Sequence, residues 1–122
     1  MSYKISVSEN GKYIRITITG TITVGLAREF SVDSIAASEA HGIERFLYDA
    51  RTARNLSSIL DNYRFAYEES SDLKLSHAAR SAILAAADDE SHKFVVTTFR
   101  NAGFNVRGFT DEAEAIAWLE EK

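Results

Sequence analysis

Alternating hydrophobic and polar positions predict a β-hairpin at the start of the chain. Residues 3–7 are apolar at every second position, which is the period of a half-buried strand. Asn10-Gly11 follows, and this dipeptide is the strongest short signal for a hairpin turn. Residues 13–19 are rich in β-branched and aromatic side chains, which favour strands. The pattern therefore predicts two antiparallel strands, the second of which ends at Gly20.

The rest of the chain alternates between helical spacing and short apolar runs. Helical spacing predicts helices over about 24–40, 56–67 and 92–102, and a last one that begins after Thr110. Apolar runs predict strands at 45–49, 79–87 and 104–109. This order predicts an α/β fold with a mixed, mostly parallel five-stranded sheet, an N-terminal β-hairpin and about four helices. Because no linker or repeat interrupts it, residues 1–122 are expected to form a single domain.

The first two predicted helices carry apolar residues outside their main hydrophobic stripe. The first helix has a core stripe from Leu26 to Ala40, and Val32 and Ile35 lie nearly opposite. Phe65 lies off the stripe of the second helix. A surface helix seldom has two apolar sides, so Val32, Ile35 and Phe65 are candidate interface residues. They suggest a homodimer or a slot for a small apolar ligand.

The composition excludes several classes of function. The chain has 122 residues with no cysteine, which excludes disulfides, thiolate metal sites and cysteine nucleophiles. Its net charge of −4 argues against nucleic-acid binding, which usually needs a clustered basic face. No apolar run approaches the roughly 18 residues of a membrane span, and the N-terminus has no signal-peptide core. We therefore expect a cytoplasmic protein without a membrane span.

The motifs of common enzymes and cofactor sites are missing. The sequence contains no Gly-x-Ser-x-Gly elbow, and its six glycines are too scattered to form a phosphate cradle. His92 follows three acidic residues, but it falls on the predicted core face of its helix, and the acids suit a helix N-terminus. We therefore predict no enzymatic activity, no catalytic residues, no metal and no cofactor.

The polar segment after the third predicted strand is the best candidate for a binding site. Asp49 ends the strand, and the candidate residues Arg51, Thr52, Arg54 and Asn55 follow in a predicted loop. In open α/β sheets, ligands bind outside the carboxyl ends of the strands. Two arginines next to the N-terminus of a helix would suit a carboxylate or a phosphate. The alternative is that the aspartate only pairs with its neighbouring arginine and the second arginine is solvated.

Four segments spread along nearly the whole chain carry a family resemblance. They are the hairpin end Ile18-Thr19-Gly20, the strand Phe46-Leu47-Tyr48-Asp49 followed by Arg51, the strand Ala82-Ile83-Leu84-Ala85, and a terminal Phe-Thr-x-x-x-x-Ala-x-x-Trp-Leu pattern over 109–119. Together they resemble the SpoIIAA-like family, a branch of the STAS superfamily that is sometimes grouped with SEC14-type lipid-binding domains. The terminal pattern is the most specific of the four. The resemblance implies a small bacterial domain that is often dimeric.

The resemblance also raises the question whether this chain has the phosphorylation switch of its relatives. The better-known STAS relatives bind a kinase-like anti-sigma factor, and their acceptor serine lies after the third strand in an Asp-Ser-Ser-Gly-like turn. The matching residues here are Asp49-Ala50-Arg51-Thr52, so that Arg51 occupies the acceptor position. Because arginine cannot be phosphorylated in this way, we expect the switch to be absent.

Two functions follow from these expectations. The first is a non-enzymatic regulatory domain, a homodimer that recognises a protein partner through the segment from Asp49 to Asn55. The alternative is a carrier or sensor of a small apolar or lipid-like anion, with aromatic residues such as Phe30, Tyr63 and Tyr67 lining its slot. A carrier needs an enclosed apolar cavity of at least a few hundred Å³.

Overall fold

The computed structural model describes residues 3–55, 78–87 and 91–121. Within these ranges it contains five strands and three helices. The elements are β1 (Tyr3–Val7), β2 (Ile14–Ile22), α1 (Val24–His41), β3 (Arg45–Asn55), β4 (Arg80–Leu84), α2 (Ser91–Asn101), β5 (Asn105–Phe109) and α3 (Glu112–Glu120).

The strands form one sheet in the order β1-β2-β3-β4-β5. β1 is antiparallel to β2, and the other neighbouring pairs are parallel. The predicted mixed α/β sheet with an N-terminal hairpin is therefore confirmed. About four helices were expected, and the described residues contain three. The helix predicted over 56–67 lies outside the described residues.

The turn between β1 and β2 is longer than a two-residue hairpin loop. Gly11 has a φ of 70°, a left-handed conformation that glycine adopts without steric cost. The Ser8 N–H donates to the Tyr13 carbonyl at 2.9 Å and closes the loop. The Asn10 side chain accepts from the Lys12 N–H at 3.1 Å. The Asn-Gly signal thus predicts the position of the turn, although β2 begins only at Ile14.

Helix α1 packs on the core with most of its predicted stripe, because Phe30 is buried and Leu26 and Ala37 pack against the same core. Thr23 is the N-cap and accepts from the Leu26 N–H, and Gly42 ends the helix with a φ of 66°. Ala40, expected on the core stripe, is exposed, whereas Ser34 is 2% exposed. The Ser34 hydroxyl donates to the Phe30 carbonyl at 2.6 Å, which lets a polar residue lie in the core.

The sheet has a separate hydrophobic core on each side. One core is formed by buried residues of β2 and β3 under α1, among them Ile14, Ile16 and Ile18. The other joins β3 and β4 to α3 and contains Leu47, Ala82, Leu84, Ala115 and Leu119. Ala115 and Leu119 are the fully buried residues of α3, whereas Ala113 and Ala117 are exposed.

No helix in the described ranges is long and apolar enough to cross a membrane. The location of the protein in the cytoplasm stays a prediction from sequence.

Candidate functional site

The segment predicted as a loop after Asp49 is a continuation of β3. β3 runs to Asn55, and its last residues pair in parallel with the end of β2, with Asn55 opposite Ile22. The prediction of a loop was wrong because both strands extend beyond their predicted ends. β2 passes through Gly20, whose φ is 81°, and so continues past the residue that was expected to stop it.

A β-bulge interrupts the pairing of β2 with β3 at the candidate site. Asp49 is opposite Thr17, and the next regular pair is Thr52 with Thr19. Three steps along β3 therefore match two steps along β2, and the extra residue lies in the pair Ala50-Arg51. Ala50 is buried in the core under α1, whereas the Arg51 side chain is 43% exposed. Bulges redirect side chains and occur often next to functional sites.

Asp49 is buried beneath two arginines. Its side chain is 9% exposed. Arg51 forms a two-pronged ion pair with it, in which Nε donates to Oδ1 at 2.9 Å and Nη2 to Oδ2 at 2.8 Å. Arg15, which faces the same side of the sheet from β2, donates from Nη2 to Oδ2 at 2.6 Å. A buried carboxylate is therefore neutralised by two guanidinium groups, as burial of a charge requires.

Glu112 completes a four-residue cluster of alternating charge. It is the first residue of α3, and its Oε1 accepts from Nη2 of Arg15 at 2.7 Å and from Nη2 of Arg51 at 3.0 Å. The two arginines thus converge on one oxygen of each carboxylate. We call Arg15, Asp49, Arg51 and Glu112 the ion-pair cluster. The cluster joins β2, β3 and α3, and its formal charge is zero.

The ionisation of the cluster follows from its contacts. Burial alone would raise the pKa of Asp49, but the hydrogen bonds from Arg51 and Arg15 outweigh it and hold this pKa below its usual range. The hydrogen bond to Asp49 is the main cause that raises the pKa of Arg51. Burial opposes the rise in the pKa of Arg15, yet its hydrogen bonds to Glu112 and Asp49 prevail. All three groups are therefore charged at neutral pH.

The surface beside the cluster is polar. α3 packs against β3, β4 and β5 on this side of the sheet. Next to it, β2 presents Thr17, which is half-buried, and Thr19 and Thr21, which are exposed. Thr52 of β3 is exposed opposite Thr19, and its hydroxyl lies 3.4 Å from the Ile18 carbonyl. We call Thr17, Thr19, Thr21 and Thr52 the threonine face.

The structure brings only some of the predicted site residues together. Asp49 and Arg51 are in direct contact, and Thr52 lies beside them on the threonine face. Arg54 and Asn55 are placed through their backbone alone, opposite Thr21 and Ile22 in the β2–β3 pairing. Their side chains lie outside what the structure describes.

The candidate interface residues differ in exposure. Val32 on the outer side of α1 is 48% exposed, whereas Ile35 is half-buried. Phe65, the third candidate, lies outside the described residues, as do Tyr63 and Tyr67. Phe30 is 9% exposed and its ring packs against those of Tyr3 and Tyr48, with centroids 6.1 and 5.9 Å away. Phe30, which was considered as part of a ligand slot, is therefore a core residue.

His92 is buried and contacts the backbone of β3. It is 5% exposed, and its Nε2 lies 3.2 Å from the Ala53 carbonyl, a contact in which the ring nitrogen must be the donor. The prediction that it faces the core is confirmed. Across residues 3–55, 78–87 and 91–121, no group of three or more histidine, aspartate or glutamate side chains is placed to hold a metal ion.

Sequence reasoning missed two of the four residues of the ion-pair cluster. Arg15 and Glu112 lie 34 and 97 positions from their ion-pair partners Asp49 and Arg15. A signal existed for Arg15, because it is the one charged residue within the apolar run 13–19. Glu112 gave no such signal, since an acid in the first turn of a helix is already explained by the helix dipole.

Comparisons with known proteins agree with this architecture. The family model described as SpoIIAA-like matches residues 13–120. None of the curated proteins compared matches the chain.

Two solved structures resemble the fold at low sequence identity. An uncharacterized protein with a SpoIIAA-like fold from Shewanella loihica PV-4 is 18% identical, with a TM-score of 0.56, and the match covers 96% of this chain and 91% of that one. An anti-sigma factor antagonist from Mycobacterium paratuberculosis is 12% identical, with a TM-score of 0.60, over 98% of this chain and 96% of that one. At these identities the likeness shows the fold.

Proposed function

Because the chain belongs to the SpoIIAA-like family, we propose that it is a regulatory domain without enzymatic activity that acts by binding a protein partner. The observation that carries the proposal is the 43%-exposed side chain of Arg51, which the β3 bulge presents beside the threonine face. One protein of the same fold is described as an anti-sigma factor antagonist, a function exerted on another protein. Reversible protein interfaces are about as polar as the rest of the protein surface, and arginine is enriched in them.

Partner binding is tested by reversing the charge of Arg51. The tagged protein is isolated from the cells that naturally express it, and co-purifying proteins are quantified for the wild type and for Arg51→Glu. Arg107→Glu is the matched control, because Arg107 is an exposed arginine on β5 at the far edge of the sheet. We expect a partner whose yield falls at least about tenfold with Arg51→Glu and is unchanged with Arg107→Glu. Equal yields in all three would contradict a role for Arg51.

We further propose that this domain lacks the phosphorylation switch that the resemblance associates with its relatives. Arg51 stands at the acceptor position, and its guanidinium is engaged by Asp49 and Glu112. The hydroxyl nearest to it in the sequence is that of Thr52, which is exposed. The intact mass of protein from its natural source tests the proposal. We expect no added phosphate, and a phosphate mapped to Thr52 would contradict it.

The proposed homodimer depends on the outer side of α1. Val32 is the exposed large hydrophobic residue among the described ones, and a helix face of this kind supplies contact area in dimers. Native mass spectrometry of wild type and Val32→Glu tests the dimer, with the exposed Glu39→Lys on the same helix as a control. We expect a dimer that only Val32→Glu dissociates. A bound small molecule in the same spectra would instead favour the carrier alternative.

A further inference from the structure

We propose that Arg15 and Arg51 form a binding site for an oxyanion, that Glu112 occupies this site in the free protein, and that a phosphorylated side chain of the partner displaces it. This inference rests on the proposed function, because it names the chemistry by which the partner is recognised. It starts from the two guanidinium groups, whose Nη2 atoms lie 2.7 and 3.0 Å from the same oxygen, Oε1 of Glu112.

The two carboxylates of the ion-pair cluster are held differently. Asp49 belongs to the sheet, its side chain is 9% exposed, and it accepts hydrogen bonds from the Arg51 backbone as well as from both guanidiniums. Glu112 belongs to the helix, is 39% exposed, and contacts the two arginines through Oε1. Asp49 is therefore a fixed part of the site, and Glu112 is the carboxylate that another anion can replace.

The energetics favour exchange at Glu112. An ion pair between partly exposed groups contributes little, because water and salt screen it. A phosphate monoester carries close to two negative charges near pH 7 and offers three acceptor oxygens. It can therefore satisfy both arginines at once and compete with a singly charged carboxylate. With Glu112 withdrawn, Arg15, Arg51 and Asp49 leave one net positive charge for the incoming group.

The helix N-terminus is not the source of this site. The backbone N–H groups of Ala113 and Glu114 already donate to the side chain of the N-cap residue Asp111, at 2.8 and 3.4 Å. The arginines are thus the donors for the anion. The threonine face lies on the same side of the sheet as Arg15, next to the two arginines.

The experiment removes the internal competitor. Binding of inorganic phosphate and of N-acetyl-phosphoserine amide is measured by NMR titration at low ionic strength, for the wild type and for Glu112→Gln. Glu114→Gln is the matched control, because it removes the same charge from the same helical turn and Glu114 is exposed. We expect both ligands to bind Glu112→Gln about tenfold more tightly than the wild type, and Glu114→Gln to resemble the wild type. Adding Arg51→Gln to Glu112→Gln should abolish the gain.

Three results would overturn the inference. They are equal affinity in wild type and Glu112→Gln, an equal gain in Glu114→Gln, and a gain that survives Arg51→Gln. Tighter binding of inorganic phosphate without binding of the phosphoserine amide would also overturn it, because the site would then take a free anion and not a phosphorylated side chain. Loss of a partner on Arg51→Glu tests the proposed function independently, so each proposal can fail without the other.

Discussion

The ion-pair cluster depends on Asp49, because its carboxylate binds the positively charged guanidiniums of both Arg15 and Arg51. Both guanidiniums donate to its Oδ2, at 2.6 and 2.8 Å. Without its charge, Arg15 and Arg51 would share only the more exposed carboxylate of Glu112. The cluster would then carry one net positive charge next to a buried amide.

We predict that Asp49→Asn lowers the free energy of unfolding by about 2 kcal/mol, the typical cost of leaving buried charged hydrogen-bonding groups unpaired. Urea denaturation at pH 7 followed by far-UV circular dichroism measures the change. Asp33→Asn is the control, because Asp33 is exposed and accepts one hydrogen bond, from the Tyr3 hydroxyl, at 2.5 Å. It should change the stability by less than about 0.5 kcal/mol. Equal effects of the two variants would contradict the prediction.

The ionisation of Asp49 makes the free energy of unfolding depend on pH, and its lowered pKa fixes the sign of this dependence. The pKa of Asp49 is lower in the folded protein than its usual value, which is about 3.9 in an unfolded chain. Its ionisation therefore stabilises the fold fully above about pH 4, and this contribution is lost as the pH falls through the lower folded pKa. The difference in unfolding free energy between wild type and Asp49→Asn should thus shrink below pH 4. A difference that grows on acidification would show that the sign is wrong.

Arginine side chains from two strands bind the C-terminal end of helix α3. Its first turn contains Glu112 and Glu114, but its last turn has no basic residue. Arg80, the first residue of β4, supplies the missing charge by donating from Nη1 to the carbonyls of Trp118 and Glu121, both at 2.8 Å. Arg45, the first residue of β3, donates to the Leu119 carbonyl. Cations at this end interact favourably with the helix dipole, and their hydrogen bonds add to the one that the Trp118 carbonyl accepts from the Glu121 N–H at 3.4 Å.

We predict that Arg80→Ala destabilises the protein by about 1 kcal/mol and increases the motion of Trp118, since the Arg80 guanidinium also lies 5.4 Å from the centre of that ring. Urea denaturation and the fluorescence anisotropy of Trp118, the one tryptophan of the chain, measure the two effects. Arg107→Ala is the control, because Arg107 stacks on Phe109 at an exposed position. Unchanged anisotropy in Arg80→Ala would show that the Arg80 guanidinium does not restrict the motion of Trp118.

Two glycines of neighbouring elements should respond oppositely to the same substitution. Gly20 in β2 has a φ of 81°, which an alanine adopts only with strain. Gly25 in α1 has ordinary helical geometry, and an added Cβ would meet Thr23 Oγ1 at 3.9 Å, an ordinary contact. We predict that Gly20→Ala costs about 1 kcal/mol and that Gly25→Ala stabilises by up to about 1 kcal/mol. Thermal unfolding of both variants gives the signs, and a stabilising Gly20→Ala would contradict the strained geometry.

Across the whole molecule, the sequence predicted correctly the features that depend on residues close together in the chain. The Asn10-Gly11 turn depends on neighbouring residues and is found at its predicted position. The helix predicted over about 24–40 is found at Val24–His41, between the caps Thr23 and Gly42. Ser34 is polar but buried on the same face of α1 as Phe30, because its hydroxyl donates to the Phe30 carbonyl of its own helix. A pattern of hydrophobicity cannot reveal such a partner.

The candidate site depended on information that lies far apart in the chain. Asp49 and Arg51 were identified because they are adjacent, but the extension of β3 required knowledge of its pairing with β2. After the bulge, the segment 52–55 has one apolar residue, the buried Ala53, which is too few for alternation to indicate a strand. Arg15 and Glu112 joined the site only when β2, β3 and α3 had been placed together.

The two cores share one sheet, so a change on one side should destabilise both. Ile16 is fully buried under α1, whereas Trp118 packs against the core on the opposite side. We predict that Ile16→Val lowers the unfolding free energy by about 1 kcal/mol and shifts the urea midpoints of Trp118 fluorescence and far-UV circular dichroism equally. Leu119→Ala, within the core that Trp118 contacts, is the comparison and should also shift both midpoints together. A Trp118 midpoint that stays at the wild-type value in Ile16→Val would mean that the two sides unfold independently.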